Sequence, residues 1–225
     1  MKQFLRNNRG LIALLLCMGL VRTALADWNP IPSGSMRPTL LEGDVVLVNR
    51  AAYDLKIPLT HVSLWRTGEP RRGEVITFFS PASGERLIKR LVAVPGDVVE
   101  MRDEQLVLNG RPVAYEPRTE ASESFQGSEV VAWRSIERLP VQARVVREHV
   151  IQVLPDLPAR RSFGPITVPA GQYFFLGDNR DNSADSRYIG FVPRELLIGH
   201  AHHVLASVDI KGNWMPRLAR FGLAL

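Results

Sequence analysis

From residue 40 onward the chain is a succession of short β-branched and aromatic runs, each closed within a few residues by Gly, Pro or Asp. That punctuation leaves room for strands and turns and almost none for helices. The pattern predicts strands at Asp44–Asn49, Glu74–Phe79, Arg86–Val94, Val98–Arg102, Gln105–Leu108, Ala143–Val153, Gln172–Leu176 and His203–Val208. Asn109-Gly110 is a hairpin signal directly after the fifth of these, because both residues tolerate the positive φ that a tight two-residue turn requires. Only Pro193-Arg194-Glu195-Leu196-Leu197 suggests a helical turn, with Pro at a permitted first position. The fold class expected is therefore mainly β, with no internal repeat.

Between Tyr115 and Arg161 the composition turns polar, and Thr119-Glu120-Ala121-Ser122-Glu123-Ser124 reads as loop. The stretch from about 110 to 165 is expected to be a smaller β subregion inserted in the main domain.

The N-terminus is different in kind. Lys2, Arg6 and Arg9 precede an uninterrupted apolar stretch from Gly10 to Val21, which Arg22 closes before Ala24-Leu25-Ala26-Asp27-Trp28. A basic lead, a short apolar run and Ala24-x-Ala26 fit a cleavable secretory signal. If instead Arg22 extends toward the far interface and Trp28 sits among the headgroups, the segment from Leu11 to Trp28 serves as an uncleaved anchor. The apolar run is shorter than the roughly 20 residues of a full span. Both readings leave the N-terminus in the cytoplasm and carry the rest of the chain across, since the flanking cations lie on the amino side. The anchor is the preferred reading, dividing the chain into residues 1–28, cytoplasmic tip and single-pass anchor, and 29–225, the exported domain.

The composition narrows the function. A chain of 225 residues, 45% hydrophobic, can bury one substantial core. Its net charge of +5 comes from arginines scattered between Arg6 and Arg220, with no basic run or aromatic-interleaved stripe, so nucleic acid is not an expected partner, and a soluble basic surface or attraction to anionic lipid headgroups is the better reading. Cys17 is the single cysteine, so no intrachain disulfide forms.

Pro32-Ser33-Gly34-Ser35-Met36-Arg37-Pro38-Thr39-Leu40 holds two hydroxyls and a glycine between prolines, a stiff segment that exposes small side chains. Ser, Gly and Pro are also ordinary turn residues. A serine hydroxyl needs a base to become a nucleophile. None of His61, His149, His200, His202 and His203 stands in a turn of the kind that presents a triad histidine. His200 and His202 share one face of a strand-like segment, but no third metal ligand accompanies them, and neither a metal nor a cofactor is expected. The better base is Lys89. In Arg86–Ala93, alternation sets Leu87, Lys89, Leu91 and Ala93 on one face and Arg86, Ile88, Arg90 and Val92 on the other, so Lys89 shares the more apolar face. Burial disfavours its charged form and would leave an amine able to accept a serine proton near neutral pH.

Four segments in order resemble the sequence boxes of bacterial type I signal peptidases: Ser33-Gly34-Ser35-Met36-x-Pro38-Thr39, Arg72-Gly73-Glu74-Val75, Ile88-Lys89-Arg90 with Pro95-Gly96-Asp97, and Gly177-Asp178-Asn179-Arg180-Asp181-Asn182-Ser183-x-Asp185-Ser186-Arg187. The resemblance implies a signal-peptidase-like β fold behind an N-terminal transmembrane helix, in the bacterial inner membrane with its catalytic domain on the periplasmic side. It implies a serine endopeptidase that removes leader peptides from exported preproteins, with Ser35 as nucleophile and Lys89 as general base. By the same resemblance the Ser33 hydroxyl and the Ser35 backbone N–H form the oxyanion hole, and Ser183 hydrogen-bonds the Lys89 amine. Asp185 and Arg187 form a supporting ion pair, and Gly177 and Asp178 shape the turn that presents the loop. The partners implied are preproteins with Ala-x-Ala leaders and a phospholipid membrane. A specialised relative that matures one pilin or conjugation protein would use the same dyad, whereas a repressor-type autoprotease would need a soluble DNA-binding N-terminus.

Overall fold

The computed structural model describes residues 3, 7–57, 60, 62–142 and 145–225. Lys2, Arg6, His61 and the first two residues of the run expected from Ala143 lie outside them.

The apolar N-terminal run forms helix α1, Arg9–Ala24, with Arg22 in its last turn, where a cation is favoured by the helix dipole. Among the described residues no helix is long and apolar enough to cross a membrane. The segment expected to continue as anchor to Trp28 instead leaves the helix at Ala24 and becomes strand β1, Ala26–Pro30, in which Trp28 pairs with Leu47.

Sixteen further strands follow among the described residues. In chain order they are β2 Asp44–Asn49, β3 Asp54–Lys56, β4 Ser63–Arg66, β5 Val75–Phe79, β6 Arg86–Ala93, β7 Val98–Arg102, β8 Gln105–Leu108 and β9 Arg111–Pro112. Then come β10 Ala114–Tyr115, β11 Thr119–Phe125, β12 Ser128–Gln142, β13 Val145–Val153, β14 Phe163–Thr167, β15 Gln172–Leu176, β16 Val192–Pro193 and β17 Leu197–Ser207. A short helix α2, Ser186–Ile189, separates β15 from β16. The protein is mainly β, as expected.

The central sheet runs β1-β2-β17-β5-β6-β15-β16. A second sheet, β14-β7-β8-β9, contains the expected hairpin, with Asn109 at φ 52° and Gly110 at φ 74°. A third gathers β10, β11 and β13 around β12. Thr119–Ser124 is thus a strand and not a loop. Its side chains are mostly exposed, so it lacks the apolar alternation that marks a half-buried strand, and its order comes from the ladder with β12. The C-terminal strand begins at Leu197, six residues before the expected His203, and Pro193 caps a short 3₁₀ turn, Arg194–Leu196, from outside it.

Three apolar clusters hold the sheets together. One of them, built on Ile31, Met36, Leu40, Val46, Val48, Val75, Ala201 and Val204, lies beneath the Ser33–Ser35 segment. Ile31 before the turn is buried there, and Met36 at its end and Leu40 just beyond are fully buried, so the segment between β1 and β2 is held against the sheet on both sides of Ser33–Ser35.

Candidate active site

Ser35 lies in a 3₁₀ turn, Gly34–Met36, preceded by Ser33 in extended conformation. The first backbone N–H groups of such a turn have no carbonyl within it to accept them, so the Ser35 amide is available to an external oxygen. Lys89 comes from β6, a strand flanked by β5 and β15, where it pairs across to Ile76. Its ammonium nitrogen donates to Ser35 Oγ over 2.6 Å and to the Ile88 carbonyl over 3.1 Å. Ser33 Oγ stands 3.4 Å from Ser35 Oγ.

Lys89 is only 3% exposed. Burial pushes its amine from an ordinary 10.5 down to about 8, while the negative charges of Asp185 and Asp178 act in the opposite direction and limit the fall. Desolvation therefore dominates, and a substantial fraction of the amine is neutral in mildly alkaline solution.

The loop after β15 closes over this pair. The Asn179 side chain donates to the Gly34 carbonyl over 3.0 Å and its backbone N–H to the Ser35 carbonyl over 3.2 Å, clamping the serine turn from above. Gly177 serves close approach: a Cβ there would lie 2.5 Å from the Ser35 carbonyl oxygen and closer still to the Ser183 hydroxyl. Its N–H donates to Asp185 over 3.0 Å, and Asp185 accepts a two-pronged pair from Arg187, both bonds 2.8 Å. Asp178 does more than shape a turn. It accepts Arg90 through two bonds of 2.8 and 2.6 Å and Thr39 Oγ1 over 2.5 Å. The serine, lysine and loop segments thus meet at one buried carboxylate. Burial alone would raise the Asp178 carboxyl, but the Arg90 guanidinium holds it below its ordinary value.

Thr39, Arg90 and Asn179 stand inside the segments that carry the resemblance, but the sequence assigns them no role of their own. Arg90 sits on the face of β6 read as the less apolar one, yet it is 3% exposed, because Asp178, Thr39 and the Gly73 carbonyl close over its guanidinium on that face. Ser183 stands with Ser33, Ser35, Leu87, Lys89 and Ala184 in a cleft of about 250 Å³. It makes no hydrogen bond to Lys89: its hydroxyl is buried and unpartnered among the described residues. A larger cavity of about 500 Å³, lined by Tyr115, Arg118 and Trp133, contains none of these groups.

Among the described residues the Ser35 hydroxyl is met by Lys89 and Ser33 and by no histidine. His149 Nε2 lies 3.1 Å from Glu137 Oε1, and the His200 and His202 rings lie 4.3 Å apart on β17, tilted at 54° to each other, on a shared face as expected. No group of three or more His, Cys, Asp and Glu side chains among the described residues stands close enough to hold a metal ion.

A mainly β protein that presents a serine hydroxyl to a buried lysine amine has the arrangement of a Ser/Lys-type hydrolase. The comparisons make the class specific. Residues 5–206 match the family model described as signal peptidase, peptidase S26, and the chain belongs to that family. It is 35% identical to the signal peptidase I of Pseudomonas fluorescens over 237 residues, which covers 96% of this chain and 78% of that protein. Against the signal peptidase I of Pseudomonas aeruginosa the identity is 34%, with the same coverage of 96% and 78%. A solved signal peptidase I from Enterococcus faecalis V583 is 33% identical, with 59% of this chain and 96% of that chain covered and a TM-score of 0.34.

Proposed function

We propose that this protein is a membrane-anchored signal peptidase that removes leader peptides from exported preproteins, with Ser35 as nucleophile and Lys89 as general base. The observation that carries the reading is the 2.6 Å bond between Lys89 Nζ and Ser35 Oγ, made where burial keeps the amine easy to deprotonate.

In its neutral form Lys89 takes the Ser35 proton as Oγ attacks the scissile carbonyl carbon. The developing oxyanion is met by the Ser33 hydroxyl and the Ser35 N–H, donors already on the turn. When the C–N bond breaks, the Lys89 ammonium returns its proton to the leaving amine, and an ester on Ser35 remains. Lys89 then takes a proton from water, whose oxygen attacks that ester; as the bond to Ser35 Oγ breaks, the Lys89 ammonium returns the proton to Oγ and the leader leaves with its new carboxylate. Ser183, whose hydroxyl has no other partner among the described residues of the cleft it shares with Lys89, turns to the amine during turnover, and the Asp185–Arg187 pair holds the loop that carries it.

Substrate entry has support in the strand pairing. β15 joins β6 only from Arg90 onward, so among the described residues Arg86–Lys89 have no strand on that edge. A leader added there as a strand ends at the dyad, and a cleft bounded by Leu87 and Ala184 suits the small side chains of an Ala-x-Ala sequence. The apolar residues of α1 hold the enzyme on the bacterial inner membrane with residues 29–225 outside the cytoplasm as the catalytic unit, in which the sheet around β12 is the smaller subregion. Sharing a bilayer with the leader raises the effective concentration of each for the other.

The test is cleavage of a preprotein bearing an Ala-x-Ala leader by the full chain in detergent micelles, with the new N-terminus sequenced. Cutting directly after the second Ala, abolished by Trp at that position, is the expected result. Absence of cutting for every leader tried, in lipid or detergent, contradicts the reading.

A further inference from the structure

Where α1 meets the β domain, three arginines converge on one carboxylate. Asp27 Oδ1 accepts Arg22 Nε over 3.2 Å, while Oδ2 accepts Arg50 Nη1 over 3.4 Å and Arg86 Nη1 over 3.3 Å. The three come from different elements: the last turn of α1, the residue after β2, and the start of β6. Three guanidiniums against one carboxylate leave two positive charges in excess, and among the described residues no second carboxylate bonds any of them. The contacts to Asp27 are single and long, and beyond them Arg86 Nη1 also donates to the Asn29 amide oxygen, so most of the planar donor sets remain unused.

The surroundings say what would occupy them. Leu25 and Trp28 flank the cluster and are 49% and 43% exposed, and the Arg22 guanidinium lies 4.2 Å over the Trp28 ring. Cationic donors beside an exposed aromatic and an exposed aliphatic side chain, at the end of an apolar helix, match the boundary between phosphate groups and acyl chains. Arg50 feels the crowding: burial, and then the charge of Arg86 acting against the pull of Asp27, hold its guanidinium below the ordinary value. An added anion relieves that repulsion.

We infer that Arg22, Arg50 and Arg86 form a binding site for the phosphodiester of an anionic lipid, seated on the guanidinium donors that Asp27 leaves free at the neck between helix and domain. The inference rests on the anchored reading above and goes beyond it in naming a specific lipid contact. Bound there, the lipid bridges α1 to β6, the strand that carries Lys89, and fixes the height of the dyad above the bilayer.

The experiment is native mass spectrometry of the full chain in detergent with phosphatidylglycerol, with phosphatidylcholine of the same acyl chains, and with inorganic phosphate as competitor. One phosphatidylglycerol retained under conditions that strip phosphatidylcholine is the expected result, with affinity falling roughly fivefold for each arginine removed in Arg22→Gln and Arg50→Gln. Arg22 is half-exposed on the helix, so its variant tests the site even if Arg50→Gln folds poorly, and thermal melts identify that case. Equal retention of the two lipids, equal retention by wild type and Arg22→Gln, or displacement by equimolar inorganic phosphate overturns the inference. Leader cleavage measured on the same preparation separates the claims: cutting without lipid preference sinks only the lipid site, and lipid preference without cutting sinks only the enzyme.

Discussion

Lys89 donates to the Ser35 hydroxyl over 2.6 Å although 54 positions separate the two in the chain. Nothing local brings them together. The serine arrives on a turn pinned by Met36 and Leu40, the lysine on an interior strand, and the loop from Gly177 to Arg187 closes over both. The contact is a product of the whole fold, and its properties can be changed from several directions.

Titration is the first. Since the neutral amine is the base, kcat/KM for leader cleavage rises with pH and levels off above about 8, where burial sets the Lys89 amine. Stability moves in the same direction. Folded Lys89 gives up its proton at a lower pH than it does in the unfolded chain, so between about 8 and 10.5 the unfolded state binds more protons and stability rises with pH. Chemical denaturation across that window, in wild type and in Lys89→Met, checks the sign: the slope is more positive in wild type than in the variant.

Ser183 offers a second test. Its buried hydroxyl has no partner, a cost that Ser183→Ala removes, so the variant gains about 1 kcal/mol of stability. A positioning group for the amine is lost in the same step, and kcat falls roughly a hundredfold. A displaced pH limb in the variant distinguishes positioning of Lys89 from simple packing. A variant as fast as wild type with an unmoved limb removes Ser183 from the mechanism.

The Arg90–Asp178 pair is a third. Both side chains are nearly inaccessible, 3% and 1% exposed, so Asp178→Leu strands a buried guanidinium and costs about 3–5 kcal/mol. Arg90→Met with Asp178→Leu costs less than the sum of the two single changes, because neither charge is then left unpaired. Because the folded Asp178 carboxyl titrates below its ordinary value, the wild-type contribution is present above the ordinary carboxylate range and is lost as pH falls. Thermal melts of the four proteins close the cycle.

How much of this the chain discloses unaided depends on what kind of signal each part leaves. β2, β7, β8 and β15 match the strands read from apolar runs and turn residues, because each carries its own alternation or bounded run. β11 leaves no such trace, since its order comes from hydrogen bonds to β12 and not from a buried face. Trp28 reads as an interfacial anchor because it follows the apolar run, and only its pairing with Leu47 places it in a strand. In the site, Ser35 and Lys89 are recognisable because their chemistry needs an unusual neighbourhood. Thr39, Arg90 and Asn179 are not, because polar residues in turns and on strands are common, and only the meeting at Asp178 and the Gly34–Ser35 carbonyls gives them a purpose.

The most direct measurement compares wild type, Ser35→Ala and Lys89→Met on one preprotein with an Ala-x-Ala leader, under single-turnover conditions at a pH above the Lys89 titration. Each variant is expected to lose at least about a thousandfold in rate while melting as a folded protein, with an acyl-enzyme on Ser35 detectable by mass only in wild type. Cleavage by folded Lys89→Met at a rate comparable to wild type would contradict the account, since the base would then lie elsewhere.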